Sequence, residues 1–331
     1  MGDVAISVPV IRACVEQYPQ LRISILTRSL FKPFFRGIKN VTIIEADVKG
    51  RHKGMRGLWR LSKALKKDKP DAIADLHNVL RSNVLKAFLK IDPFVQIDKG
   101  RPERKALING KAFQPITPIY QRYALVFEKL GYKIDLSSPK FPAKATINKK
   151  CKALLGDYNS IIGIAPFAAF KGKAYPLDLM VQVIKELSND SKILLFGGGD
   201  QEIDALSKLE LELTNVISLA GKLSLDEEMD IISNLDVMVS MDSANAHIAA
   251  MLNVEVISIW GVTHPYAGFY PFNQNTNNAL LADRNKFPRI PTSIYGNQYP
   301  EGYENAIATV SPQNIIDKVR ELLSDKDQTS S

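Results

Sequence analysis

From Ser160 to Gly261, short apolar runs and helical segments alternate without a break, and nothing else in the chain limits its fold so tightly. The runs are "SIIGIAP", "KILLFGG", "NVISLAG", "DVMVSMD" and "VEVISIWG". Between them lie "PLDLMVQVIKELSND", "DQEIDALSKLEL", "SLDEEMDIISNL" and "SANAHIAAMLN". In the first of these segments Leu177, Met180, Val181 and Ile184 recur at i, i+3, i+4 and i+7, the spacing of one buried helix face. Short strands alternating with helices predict parallel β-α units in one sheet.

The first half repeats the pattern less cleanly. "LRISILT", "NVTIIEAD", "PDAIADLH" and "PFVQIDK" read as strands, with helices expected at about 5–18, 55–69, 79–90 and 119–131. "SSPKFPAKATINKK", with two prolines and no periodicity, reads as a linker. The expected fold class is α/β, with two Rossmann-like domains facing across a cleft, where ligands bind. The domains are expected at 1–145 and 155–310, followed by a C-terminal helix at 311–324 and a frayed tail at 325–331. A chain of 331 residues, 45% of them hydrophobic, can bury two such cores. One irregularity is that "MGDVAISVPVIRA" opens directly into a helical pattern. The N-terminal domain is therefore read as lacking its first strand, which would leave unpaired sheet edges.

Charge divides the chain in two. Residues 1–150 carry 30 Lys+Arg against 12 Asp+Glu, a balance of +18; residues 151–331 carry 13 against 23, a balance of −10. The first half is thus suited to an anionic partner, and the choices are nucleic acid, a phosphorylated lipid or a membrane surface. RNA-binding signatures and basic repeats interleaved with aromatics are absent, which disfavours nucleic acid. Cys14 and Cys151 form neither a C-x-x-C motif nor a disulfide framework, consistent with a reducing cytosol. No signal-peptide pattern or long uncharged apolar run is present, so a soluble, cytoplasmic protein is expected.

The candidate chemistry lies in loops that follow strands. "DVMVSMDSANAH" ends a buried run at Asp242 and starts a helix with Ser243 as the expected N-cap. A helix N-terminus there offers free N–H groups and a positive dipole end to a phosphate, and Ala244 and Ala246 keep the entrance small. A hydrolytic triad would need a G-x-S-x-G elbow, which is missing, and a metal site at Asp242 and His247 lacks a third ligand. "APFAAFKGKAYP" places the small Ala168 and Ala169 beside Lys171 and Lys173, suited to neutralising a departing diphosphate. "FGGGDQEID" offers Asp200 and Glu202 to ribose hydroxyls, without the G-x-G-x-x-G spacing of a dinucleotide fingerprint. "IWGVTHPYAGFYP" closes the same sheet edge. Together these loops read as a nucleotide-diphosphate site.

At that point the chain resembles the heptosyltransferase-type glycosyltransferases of glycosyltransferase family 9. The matching pieces are "GDVAISVPVIRA", "DLHNVLRSN", "KAYP" and the long "GKLSLDEEMDIISNLDVMVSMDSANAHIAAMLNVEVISIWGVTHP". The resemblance implies a GT-B-type architecture, with the acceptor on the N-terminal half and the nucleotide sugar on the C-terminal half. It implies Asp3 as general base in an inverting transfer, Lys173 on the donor diphosphate and Asp242 on the donor sugar. It further implies Ser243 and Ala244 as the phosphate-binding turn and His247 as structural support, while Arg81 and His77 are acceptor-binding candidates. The implied donor is a nucleotide sugar, ADP-heptose being favoured, and the acceptor a phosphorylated lipid or glycan of the lipopolysaccharide-core type. Transient contact at the inner face of the inner membrane follows. No cofactor or divalent metal is implied, since the D-x-D at Asp325–Asp327 falls in the expected tail. Two departures stand out: Ala244 replaces a glycine, and Ala174-Tyr175 replace Arg-Trp. A nucleotide-sugar-binding protein with little turnover, or a two-Rossmann-domain epimerase, is the competing reading.

Overall fold

The computed structural model describes residues 1–156, residues 158–326 and the backbone of 327–330. The chain forms two compact units. One consists of Asp3–Arg101 and Thr117–Lys140; the other takes Pro102–Ile116 and the chain from Phe141 onward.

The first unit opens with α1 (Gly2–Gln17), then β1 (Ile23–Thr27), β2 (Val41–Glu45), α2 (Gly54–Lys67), β3 (Ile73–Asp75), α3 (Leu80–Leu89) and β4 (Phe94–Gln96). After the passage that contains α4 (Arg101–Ile108), α5 (Ile119–Lys129) completes it. α1 is buried along nearly its whole length, from Ala5 to Val15, so it behaves as a core helix. The strands of this unit pair in parallel as β1–β2 and β3–β4, two separate two-stranded sheets among the described residues. Leu58 and Leu61 of α2 pack on Leu85 and Leu89 of α3 over the half-buried Leu26, Ile73 and Phe94.

The second unit contains α6 (Lys149–Leu155), β5 (Ile161–Ala165), α7 (Leu177–Leu187), β6 (Lys192–Leu195), α8 (Asp200–Glu212) and β7 (Val216–Ser218). It continues through α9 (Leu225–Ile232), β8 (Val237–Met241), α10 (Ala244–Met251), β9 (Glu255–Trp260), β10 (Ala279–Leu281) and α11 (Pro312–Ser330). Its six strands are all parallel, in the order β10-β9-β8-β5-β6-β7. Helices cover both faces of such a sheet, which is why β6 and β8 are buried at every residue and read as continuous apolar runs. The face of α7 lies one turn later than the spacing predicts. Met180, Val183, Ile184 and Leu187 are buried, while Leu177 and Val181 are only half-buried.

Local chemistry fixes several boundaries. Ser224 and Glu227 form a capping box on α9: the Glu227 N–H donates to Ser224 Oγ at 3.3 Å and the Ser224 N–H to Glu227 Oε2 at 2.9 Å. Asn148 caps α6 by accepting from the Cys151 N–H at 2.8 Å, so the segment read as a linker ends by starting a helix. Of the expected tail, the backbone through Ser330 continues α11, and Ser331 lies outside the described residues.

Candidate active site

The strand order of the second unit reverses between β5 and β8: from β5 the chain winds out to β6 and β7, then returns to lay down β8, β9 and β10 on the other side. In open parallel sheets the loops at the carboxyl ends of the two strands flanking such a reversal diverge and leave a crevice for ligand. The loop after β5 carries Lys173 and the loop after β8 begins with Asp242. Their side chains meet, with Lys173 Nζ 3.3 Å from Asp242 Oδ2 and both largely buried. Thr263, following β9, donates its hydroxyl to the same carboxylate oxygen at 3.0 Å. Burial raises the Asp242 carboxyl above the ordinary carboxylate range, and the Lys173 ammonium and Thr263 hydroxyl oppose that rise.

Close backbone approach sets Lys173 in place. The Val262 N–H donates to the Gly172 carbonyl at 3.0 Å. A Cβ on Gly261 would stand 2.4 Å from that carbonyl oxygen, and one on Gly172 would stand 2.5 Å from Val262 Cγ2. Both positions must therefore be glycine for the two loops to touch.

The residues singled out in sequence occupy this region unequally. Ser243 is the N-cap of α10 with extended backbone, as expected, yet its side chain does not cap the helix. Its hydroxyl pairs instead with Ser240 Oγ at 2.8 Å, which leaves the first N–H groups of α10 without a side-chain partner from the N-cap. Ala244 begins the helix and is not among the residues of positive φ, so alanine in place of glycine introduces no strain there. Ala168 is half-buried and Ala169 exposed in the loop after β5. Glu202 accepts from the Gly198 N–H at 2.8 Å and so closes its own turn, whereas Asp200 is exposed at the start of α8. His247 is buried, and among the described residues its Nδ1 has no hydrogen-bond partner. Tyr175 belongs to the core: its hydroxyl donates to the Val310 carbonyl at 2.7 Å, and burial pushes its phenol up to about 12.

In the first unit Asp3 is exposed in the opening turn of α1. His77 and Arg81 are exposed at the end of β3 and the start of α3. Asp75, which sequence reading passed over, organises that turn. It accepts from the His77 N–H at 3.0 Å, the Asn78 N–H at 2.8 Å and Gln96 Nε2 at 2.9 Å. Asn78 adopts φ 42, a conformation that asparagine tolerates better than most residues. The available signal was the Asp-x-x-Asn pairing itself, a common turn-forming combination.

Thr263 and His264 were also missed as individual residues, although their loop was recognised. His264 Nδ1 accepts from the Tyr266 N–H at 3.1 Å. Phe113, from the passage 102–116, packs edge-on against the His264 ring at 5.0 Å and lies under Arg284, whose guanidinium carbon is 3.4 Å from the ring centre. Among the described residues no group of three or more His, Cys, Asp or Glu side chains is placed to hold a metal ion, and no helix is long and apolar enough to cross a membrane.

A family model described as glycosyltransferase family 9 (heptosyltransferase) matches residues 58–294. The chain belongs to this family. Lipooligosaccharide heptosyltransferase 2 of Haemophilus influenzae is 28% identical to the glycosyltransferase over 98% of this chain and 96% of its own length. The solved structure of Escherichia coli ADP-heptose lipopolysaccharide heptosyltransferase II aligns with a TM-score of 0.70 at 19% identity, over 98% of this chain and 96% of that one. The Escherichia coli heptosyltransferase WaaC with ADP aligns with a TM-score of 0.70 at 18% identity, over 97% of each chain. These structural likenesses agree with the α/β, GT-B-type reading. Family membership disfavours both the epimerase and the binding protein without turnover.

Two of the buried histidines, His247 and His264, give this glycosyltransferase a defined pH response. Burial, with Lys173 nearby, holds His247 at about 3; burial and Arg284 hold His264 at about 4. In the unfolded chain both return to the ordinary 6.5. Below that pH the unfolded state takes up protons that the folded state refuses, so stability falls as pH drops from 6.5 towards 4. Each histidine contributes a slope of up to about 1.4 kcal/mol per pH unit. Thermal unfolding followed at pH 7, 6 and 5 should show a falling midpoint, and His264→Gln should flatten the dependence by about half of that two-histidine slope. An unchanged midpoint across that range would contradict the buried, neutral assignment.

Proposed function

We propose that this glycosyltransferase transfers a heptose, with inversion at the anomeric carbon, from ADP-heptose to a phosphorylated acceptor of the lipopolysaccharide-core type. The observation that carries the proposal is the Lys173–Asp242 pair at the strand-order reversal, beside the N-terminus of α10. A diphosphate at a helix N-terminus meets unpaired N–H groups and a favourable dipole. Lys173 then supplies a mobile positive charge: Asp242 holds it in place at rest, and the diphosphate recruits it as negative charge grows on the leaving group. Relatives bearing heptosyltransferase names, one of them solved with ADP, support the choice of donor.

In the proposed step an acceptor hydroxyl oxygen attacks the anomeric carbon as the bond from that carbon to the diphosphate oxygen breaks. The electron pair of that bond leaves with ADP, and the hydroxyl proton passes to Asp3. Asp242 orients the donor sugar, Ser243 and Ala244 with the small Ala168 and Ala169 receive the phosphates, and Glu202 and Asp200 face the ribose. Arg81 and His77 hold acceptor phosphate. Lys173 and the α10 dipole take the place of a divalent ion, so no metal is required. The reaction is assigned to the cytoplasmic side of the inner membrane, where a basic first half meets an anionic lipid acceptor.

Calorimetric titration with ADP, GDP and UDP, followed by transfer to a de-O-acylated core acceptor in excess EDTA, tests this reading. ADP should bind most tightly and transfer should persist. Preference for GDP or UDP would overturn the donor, and loss of transfer restored by a divalent ion would overturn metal independence.

A further inference from the structure

α2 has an exposed face that neither its packing nor the proposed reaction uses. Its inner stripe is fully engaged, with Leu58, Leu61 and Leu65 lying against α3 and the strands beneath. The outer stripe nevertheless carries two large apolar side chains, Met55 at 59% exposure and Trp59 at 49%, one turn apart. Arg56, Arg60, Lys63 and Lys67 share that stripe, all exposed. At 100° per residue, all six side chains fall within an arc of about 140°. Lys63 Nζ sits 3.6 Å from the centre of the Trp59 ring. The helix "GMRGLWRLSKALKK" contains no acidic residue, so nothing on it neutralises these cations.

An exposed lysine-rich face needs no special explanation. Trp59 and Met55, at the edge of that face nearer the buried stripe, do, because a solvated helix gains little by exposing them. Side chains of this kind, standing between the buried stripe and a flank of Lys and Arg on a helix too short to span a bilayer, match the chemistry of an anionic lipid surface. The cations draw the helix to the head groups, and the indole sits at the boundary with the acyl chains. Nucleic acid would also meet the charge, but a lone Trp beside a Met is not the repeated aromatic platform that stacks bases. We infer that the outer face of α2 is a membrane-docking surface, with Trp59 and Met55 inserting at the interface of an anionic bilayer and Arg56, Arg60, Lys63 and Lys67 contacting its head groups. This rests on the lipid-acceptor reading above and names the element that would carry it.

Flotation with vesicles, read alongside tryptophan emission, tests the inference on the whole chain. The emission is informative because the other tryptophan, Trp260, is 1% exposed and should not respond. Phosphatidylcholine vesicles containing about one third phosphatidylglycerol should bind the protein at least about tenfold more strongly than phosphatidylcholine alone, with a blue shift in emission. Met55→Ser with Trp59→Ser, both at exposed positions where folding is not at stake, should reduce that binding by about tenfold. Transfer to a soluble, de-acylated acceptor should be unchanged. Equal binding to both vesicle types, no binding, or a double variant that binds as well as the parent would overturn the inference. Binding lost in the double variant supports it even if no sugar is transferred, in which case the proposed function alone fails. Transfer without vesicle binding leaves the function standing and removes the surface.

Discussion

Lys173→Met should lower kcat/KM by roughly 10²- to 10³-fold, the usual effect of removing one preorganised charge from a departing anion. The same substitution should destabilise the fold, because it leaves the Asp242 carboxylate buried with, among the described residues, the Thr263 hydroxyl as its remaining side-chain partner. Breaking a buried pair on one side typically costs about 3–5 kcal/mol. Here the loss is bounded, since Asp242 already sits above the ordinary carboxylate range and can take a proton instead. The two effects are separable. In Lys173→Met with Asp242→Asn the uncompensated charge is gone, so most of the unfolding midpoint should return while the rate stays low. If the double variant recovers turnover as well as stability, Lys173 is not the group that meets the diphosphate.

Asp3→Asn should reduce kcat by about 10²- to 10⁴-fold while ADP affinity and the unfolding midpoint stay close to those of the parent. The competing role for Asp3 is electrostatic, an acidic residue in the first turn of α1 facing the helix dipole. That role is worth about 0.3–1 kcal/mol and would appear in the midpoint, not in the rate. Single-turnover transfer with saturating donor, set beside thermal unfolding, distinguishes the two. Undiminished transfer would remove Asp3 as the base.

Most of the second unit was legible because its strands are buried on both faces and announce themselves as apolar runs. β10 was not: Ala279–Leu281 is a strand only because β9 lies alongside it, and three residues carry no period of their own. α4 escaped notice because "RPERKALI" is dominated by charge, with Arg104 and Leu107 its only buried side chains. The candidate site was legible at the level of loops, since Lys173 and Asp242 each follow a strand. That they touch depends on β8 lying next to β5, a crossover that local pattern does not encode. Side-chain partners were less legible than positions. Ser243 stands at the N-cap as expected, but its hydroxyl pairs with Ser240 instead of capping the helix, a choice local sequence does not decide.

The course of the chain between its two units restricts how the protein can be taken apart. Because Pro102–Ile116 is counted with the second unit, the polypeptide from Asp3 onward changes unit three times, after Arg101, after Ile116 and after Lys140. A single cut in the segment 137–150 would not release an intact C-terminal half. It would strip Phe113 from His264 and Arg284, and Ile116 from the Tyr266 carbonyl to which its N–H donates at 3.1 Å. Exchange of donor halves between relatives, by recombination or by design, therefore needs two pieces of sequence to travel together.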